Sequence, residues 1–248
     1  MESPDLSQRN KVGELLTTNT LVKIAEIASV AFMGYAAIKI FEPTDKNNLV
    51  QKQASVWIAY ILMIALVWLG IKLRKQNWSD LGLTFERSTF KEAGKTFLLS
   101  LLVFVLGVTG FVLGSIIMAN ITGIPEGADM SGYEYLQNNP LMLILTLLGV
   151  YIVSSFGEEV LFRAFLINRV SEIGASTKTA RIIAVLLSAI IFGLAHYEWG
   201  PMGIVQTGCM GLAFGICYLK LKKRLWILIL AHAYMDTILM VQMYLTSN

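Results

Sequence analysis

The chain of 248 residues is 55% hydrophobic and only 15% charged, with a mean hydropathy of +0.62. A soluble domain carries about 25% charged residues, and the deficit here is gathered into long charge-poor runs, which excludes a soluble globular fold and predicts a polytopic membrane protein. A formal net charge of +3 is too small to mark a nucleic-acid binder, and no nucleic-acid partner is expected.

Residues 1–20 are polar and mixed in charge, without the short apolar core and small-residue cleavage site of a signal peptide, and read as a cytoplasmic tail. Apolar stretches of helix length follow at 21–41, 54–71, 96–119, 141–157 continuing through 170, 182–196, 201–219 and 225–245. About 20 residues cross a bilayer core, and 54–71, 96–119 and 201–219 do so without a charge. The first span carries Lys23, Glu26 and Lys39 near its ends, where long side chains snorkel. Backbone groups in lipid are satisfied only within helices or closed barrels, and no strand alternation occurs, so the fold class is an all-α bundle of about seven spans. The chain divides into the tail 1–20, three N-terminal spans over 21–119 with a cytoplasmic interfacial segment at 72–95, and a four-span core over 140–245.

Basic residues fix the expected orientation. Lys72, Arg74, Lys75, Arg87, Lys91 and Lys95 separate spans two and three; Arg163, Arg169, Lys178 and Arg181 separate four and five; Lys220, Lys222, Lys223 and Arg224 separate six and seven. These loops are expected in the cytoplasm. Residues 120–139 hold Glu126, Asp129 and Glu134 but no Lys or Arg, and the turn from Tyr197 to Pro201 holds Glu198 alone, so both face the other side. The N-terminus then lies inside and the C-terminus outside, with the plasma membrane the expected location. Gly110-x-x-x-Gly114, and Gly203, Thr207, Gly211 and Gly215, form small-residue stripes for close helix packing. Trp78 to Phe90 reads as an interfacial strap. Cys209 and Cys217 are about 12 Å apart along one helix, beyond disulfide reach, and read as small core residues.

Ionisable groups in a membrane are costly, which singles out Glu158 and Glu159 with Arg163, His196, and His232 with Asp236. Glu159 and Arg163 are four apart on one helical face and read as a charge pair. Glu158 points about 100° away and is the freer carboxylate. The bland alternatives are a helix-end ion cluster for the Glu–Glu–Arg group and helix–helix hydrogen bonding for each histidine. Against them, the chain's two histidines both sit in apolar spans, and with a double carboxylate they supply a base for water and donors for an oxyanion.

Three motifs then carry a resemblance. Glu158-Glu159-Val-Leu-Phe-Arg163 matches EExxxR, Phe192-Gly-Leu-Ala-His196 matches FxxxH, and His232-Ala-Tyr-Met-Asp236 matches HxxxN/D. In order and spacing they resemble the CPBP family, the CAAX protease and bacteriocin-processing or Abi proteins, whose members resemble the type II CAAX prenyl endopeptidase. The resemblance covers residues 140–245. It implies an intramembrane endopeptidase of glutamate type that needs no cofactor and acts on a membrane-associated peptide or protein. Glu158 and His196 would activate water, His232 and position 236 would hold the oxyanion, and Glu159, Arg163 and Phe192 would support the site. Prenyl endopeptidases carry Asn where this chain has Asp236; an ionised Asp cannot donate to an oxyanion, so Asp236 is expected to orient His232 instead.

Zinc is the chemical rival, since Glu158, His196, His232 and Asp236 are ligands by type, although no HExxH occurs. A non-catalytic immunity or regulatory protein of the same fold, and a transporter using Glu158, His196 and His232 as a proton relay, are the functional rivals. Depth poses a problem for assembly. Glu158 is about 7.5 Å from Arg163 and His196 about 22 Å from Arg181, so span five must tilt, protrude or turn back for the two to meet.

Overall fold

The computed structural model describes residues 11–45, 48–84, 89–123 and 131–245, and among them it holds helices and no strand. A short helix α1 (Lys11–Thr18) precedes the long helices α2 (Thr20–Ile40), α3 (Leu49–Leu73), α4 (Phe90–Thr122), α5 (Pro140–Ile173), α6 (Lys178–Ala195), α7 (Gly200–Lys220) and α8 (Leu225–Leu245). These seven are long and apolar enough to cross a membrane, and the chain is an all-α, multi-pass integral membrane protein.

The helices start where side chains can hold the free N–H groups of a first turn. Asn19 accepts from the amides of Leu21 and Val22, Asn48 from Gln51, Asn139 from Met142 and Thr177 from Ala180. Thr89 and Glu92 form a reciprocal capping box, which is why α4 begins ahead of its apolar run. Pro140 stands in the first turn of α5, where its missing N–H costs nothing.

Between helices in lipid there is little hydrophobic drive, so contact depends on shape. Gly110 and Gly114 of α4 lie so close to α7 that an added Cβ would come within 2.7 Å of the Cys209 carbonyl and 2.8 Å of Gln206 Cα. α4 also packs along α8, α7 along α6, and α2 along α3. α5 is the hub, touching α3, α6 and α8.

Several expectations change here. The tail is helical over its described part: α1 buries Gly13 and Leu16 and sets Gly13 against the Leu73 carbonyl, while residues 1–10 lie outside the described residues. The described start of the strap, Trp78 to Thr84, packs into the bundle. Leu81 and Leu83 are buried, the Leu225 amide donates to the Gly82 carbonyl, and the Tyr218 hydroxyl donates to the Leu81 carbonyl, so this segment plugs under the α7–α8 turn. Gly82 takes φ +90° there, against the Lys223 carbonyl, which only glycine accommodates. Residues 85–88 of the strap, and Glu126 and Asp129 of the acidic loop, are outside the described residues.

Arg163 and Arg169, counted above as loop charges, are instead buried within α5, which continues to Ile173. Glu26 is no snorkelling end group either. Its carboxylate is buried and bonded to Arg74, with Arg169 Nε at 3.9 Å; Arg169 pairs in turn with Glu172, and Gln76 Oε1 accepts from both arginines. This ionic knot ties α2 and α3 to the end of α5.

Candidate active site

The middle of α5, Tyr151–Ile167, is wound as a π-helix. That form is rare and is frequent at functional sites. Its wider turn holds more residues than an α-turn, so successive side chains diverge by less than the 100° of an α-helix. Consequently Glu158 and Glu159, expected to point apart, both reach the imidazole of His232 on α8. Glu159 Oε1 is 2.9 Å from Nδ1, while Glu158 Oε2 is 3.8 Å from Nε2. Asp236, one turn along α8, places Oδ1 3.8 Å from the same Nε2. Glu158, Glu159 and His232 are all buried.

Each carboxylate has a distinct partner. Glu159 also faces Arg163 at 3.2 Å, as an ion pair without the alignment of a hydrogen bond. Glu158 Oε1 accepts from the Tyr60 hydroxyl at 3.2 Å, and Oε2 has no hydrogen-bond partner. Asp236 Oδ2 accepts from the Ser155 hydroxyl at 2.7 Å. The hydrogen bond that sets the tautomer of His232 therefore comes from Glu159 and not, as expected from the sequence, from Asp236, because Glu159 holds Nδ1 while Asp236 lies beyond hydrogen-bond reach of Nε2.

Phe192 is fully buried and organises the other side. Its ring carries the Arg163 guanidinium at 4.3 Å and stands 4.8 Å from the His196 ring and 6.4 Å from that of His232. Gly211 makes room, since a Cβ there would meet Phe192 at 2.9 Å. His196 closes α6, its Nδ1 2.8 Å from the Phe192 carbonyl and its ring against Trp199. Because a carbonyl only accepts, Nδ1 is the donor and Nε2 is left with its lone pair in the neutral ring. The structure thus gathers Glu158, Glu159, His232 and Asp236 in direct reach and sets His196 one aromatic ring away. Among the described residues, no three of His, Cys, Asp and Glu are placed to hold a metal ion.

The depth problem dissolves for a simple reason. Arg163 is not at the end of its helix: α5 runs on to Ile173, so Glu158 stands as many residues from that end as His196 does from Arg181, about 22 Å by the same count. His232 is about 10 Å from Leu225, but that turn is itself sunk beneath Leu81 and Leu83.

At the opposite end the turn Ser131–Leu136 covers the bundle, with Leu136 buried against Val150, Met240 and Met243. Burial pushes the Tyr133 phenol up to about 12, with Tyr135, Asp236 and Glu158 adding to it. Tyr133 accordingly stays neutral at physiological pH and lies within electrostatic range of the site.

Tyr60 and Ser155 were not singled out in the sequence. Their signal is weak but present: a hydroxyl in an otherwise apolar span has to find a polar partner. These contacts bring the three motifs, and a residue from outside them, into one arrangement. Residues 140–238 match the family model described as Type II CAAX prenyl endopeptidase Rce1-like. That is the family the motifs resemble, and the match takes in α5, α6, α7 and the part of α8 that bears His232 and Asp236. The match spans about two fifths of the chain, and what that segment is similar to is a protease family. No curated protein and no solved structure matches the chain.

Proposed function

We propose that the protein is an intramembrane endopeptidase that hydrolyses a peptide bond in a membrane-associated peptide or protein. The observation that carries this reading is the open Oε2 of Glu158, buried without a hydrogen bond and 3.8 Å from His232 Nε2. A gap above 3.5 Å is too long for a direct hydrogen bond, and a water or carbonyl oxygen can contact both sides of it.

In the reaction, Glu158 Oε2 takes a proton from water while the oxygen attacks the carbonyl carbon. His196 assists through the Nε2 lone pair that the Phe192 carbonyl leaves free. The carbonyl oxygen becomes an oxyanion and accepts from His232 Nε2, which donates when both ring nitrogens are protonated, Nδ1 being held by Glu159. Asp236 stays anchored to Ser155 and supports the imidazolium. As the tetrahedral intermediate collapses, the C–N bond breaks and Glu158 returns its proton to the leaving amine. Alternate helix ends place Lys72, Lys75, Lys91, Lys95, Lys178, Arg181, Lys220 and Arg224 at one end of the bundle, which by the positive-inside rule is cytoplasmic. In this reading substrate approaches from that side, the Ser131–Leu136 turn closing the other.

The test is purified protein incubated with candidate membrane peptides and read by mass spectrometry. A cut that Glu158→Gln abolishes supports the reading. Dialysis against a chelator should leave the activity in place, whereas loss with chelator and return with zinc would replace the glutamate mechanism by a metal one. A non-catalytic protein of the same fold is the second reading, favoured by the separation of His196 from the carboxylates. A biological effect retained by Glu158→Gln would select it.

A further inference from the structure

Resting on the endopeptidase reading, we infer that Tyr60, on α3 and outside the segment that matches the family, is a positioning residue that selects which oxygen of Glu158 serves as the base. The phenol donates to Oε1 at 3.2 Å, and among the described residues no other hydrogen bond reaches this carboxylate, whose Oε2 is left facing His232. A glutamate side chain turns about several bonds, and a buried one held at neither oxygen would not stay aligned with a water. Fixing Oε1 directs Oε2 at the gap before Nε2, and small losses of alignment in such a gap are costly in rate.

Helix α3 packs directly on the π-wound part of α5. Gly157 precedes Glu158, and a Cβ there would lie in ordinary contact with Tyr60 Cδ1 at 3.5 Å and tight against Ile64 Cδ1 at 3.1 Å, so both α3 side chains lie directly against the turn that carries the carboxylate. Tyr60 is one apolar-span residue among many by composition, yet its hydroxyl is aimed at the site rather than at a backbone carbonyl of its own helix. The N-terminal spans therefore supply a component of the active site as well as its scaffold.

The experiment compares wild type with Tyr60→Phe, which removes the hydroxyl alone. With a peptide whose cleavage depends on Glu158, kcat should fall about 10-fold, the scale of a lost hydrogen bond to a carboxylate, while KM and the melting temperature in detergent stay at wild-type values. The infrared carboxyl band assigned to Glu158 by its disappearance in Glu158→Gln should move in Tyr60→Phe. An unchanged kcat, or a loss that follows a fall in melting temperature, overturns the inference. So does an unmoved Glu158 band, which decides the matter even where wild type cleaves nothing. Absence of Glu158-dependent cleavage with a shifted band refutes the endopeptidase reading and, with it, a catalytic role for the contact.

Discussion

Two buried ionic clusters lie along α5, and they differ in balance. Towards its C-terminal end, Glu26 and Glu172 meet Arg74 and Arg169, two carboxylates against two guanidiniums, with Gln76 accepting from both arginines. In the π-wound middle, Glu158, Glu159 and Asp236 surround one imidazole, with Arg163 alone as a guanidinium. The first cluster joins three helices and neutralises itself. The second is crowded with acceptors and leaves Glu158 Oε2 and Glu159 Oε2 without hydrogen bonds, whereas Glu26 Oε2, also without one, faces a guanidinium at 3.9 Å. A buried pair is costly to break, so balance suits a clamp. An open buried acceptor is a standing cost that makes sense where a reacting molecule fills it.

The comparison predicts opposite phenotypes. Glu158→Gln should lower cleavage by about 100-fold or more with the melting temperature held or raised, because one of three crowded carboxylates loses its charge. Survival of more than a tenth of the activity would erase the distinction. Arg169→Met should do the reverse. Glu172 then loses its partner while Glu26 keeps Arg74, and the loss should cost about 1–3 kcal/mol in denaturant unfolding, while kcat per folded molecule is kept. Glu159→Gln should lie between: the amide still reaches His232 Nδ1 but loses its charge, so kcat should fall about 10-fold, less than for Glu158→Gln, and equal losses with intact folding would merge their roles. The smallest effect belongs to Ser155→Ala, which frees Asp236 and should reduce kcat about 3-fold; an effect as large as that of Glu158→Gln would make Asp236 a principal group.

Much of this was legible from the residues. Runs of apolar residues mark the seven long helices because lipid demands both length and apolarity, and their boundaries differ mainly where caps such as Thr89 with Glu92 extend a helix past its apolar run. The motif residues on α5 and α8 meet around His232. What the sequence hid depends on winding and on distance along the chain. The π-turns bring Glu158 and Glu159 to one ring, which α-helical spacing argues against, so the sequence points Glu159 to Arg163 alone. Glu26, Arg74 and Arg169 are far apart in sequence, so each read as a charge at an apolar margin. Tyr60 is one aromatic residue in an apolar span, and only its approach to Glu158 distinguishes it.

The plug of Leu81 and Leu83 has a consequence for the height of His232. Because the Leu225 amide is bonded to the Gly82 carbonyl, the first residue of α8 is pinned by a segment that also follows α3, the helix carrying Tyr60. The stretch between Leu73 and Gly82 thus acts as a ruler: its length sets the register of the imidazole on α8 against the phenol on α3. A residue inserted there would leave every site side chain in the protein and slide one half of the site past the other.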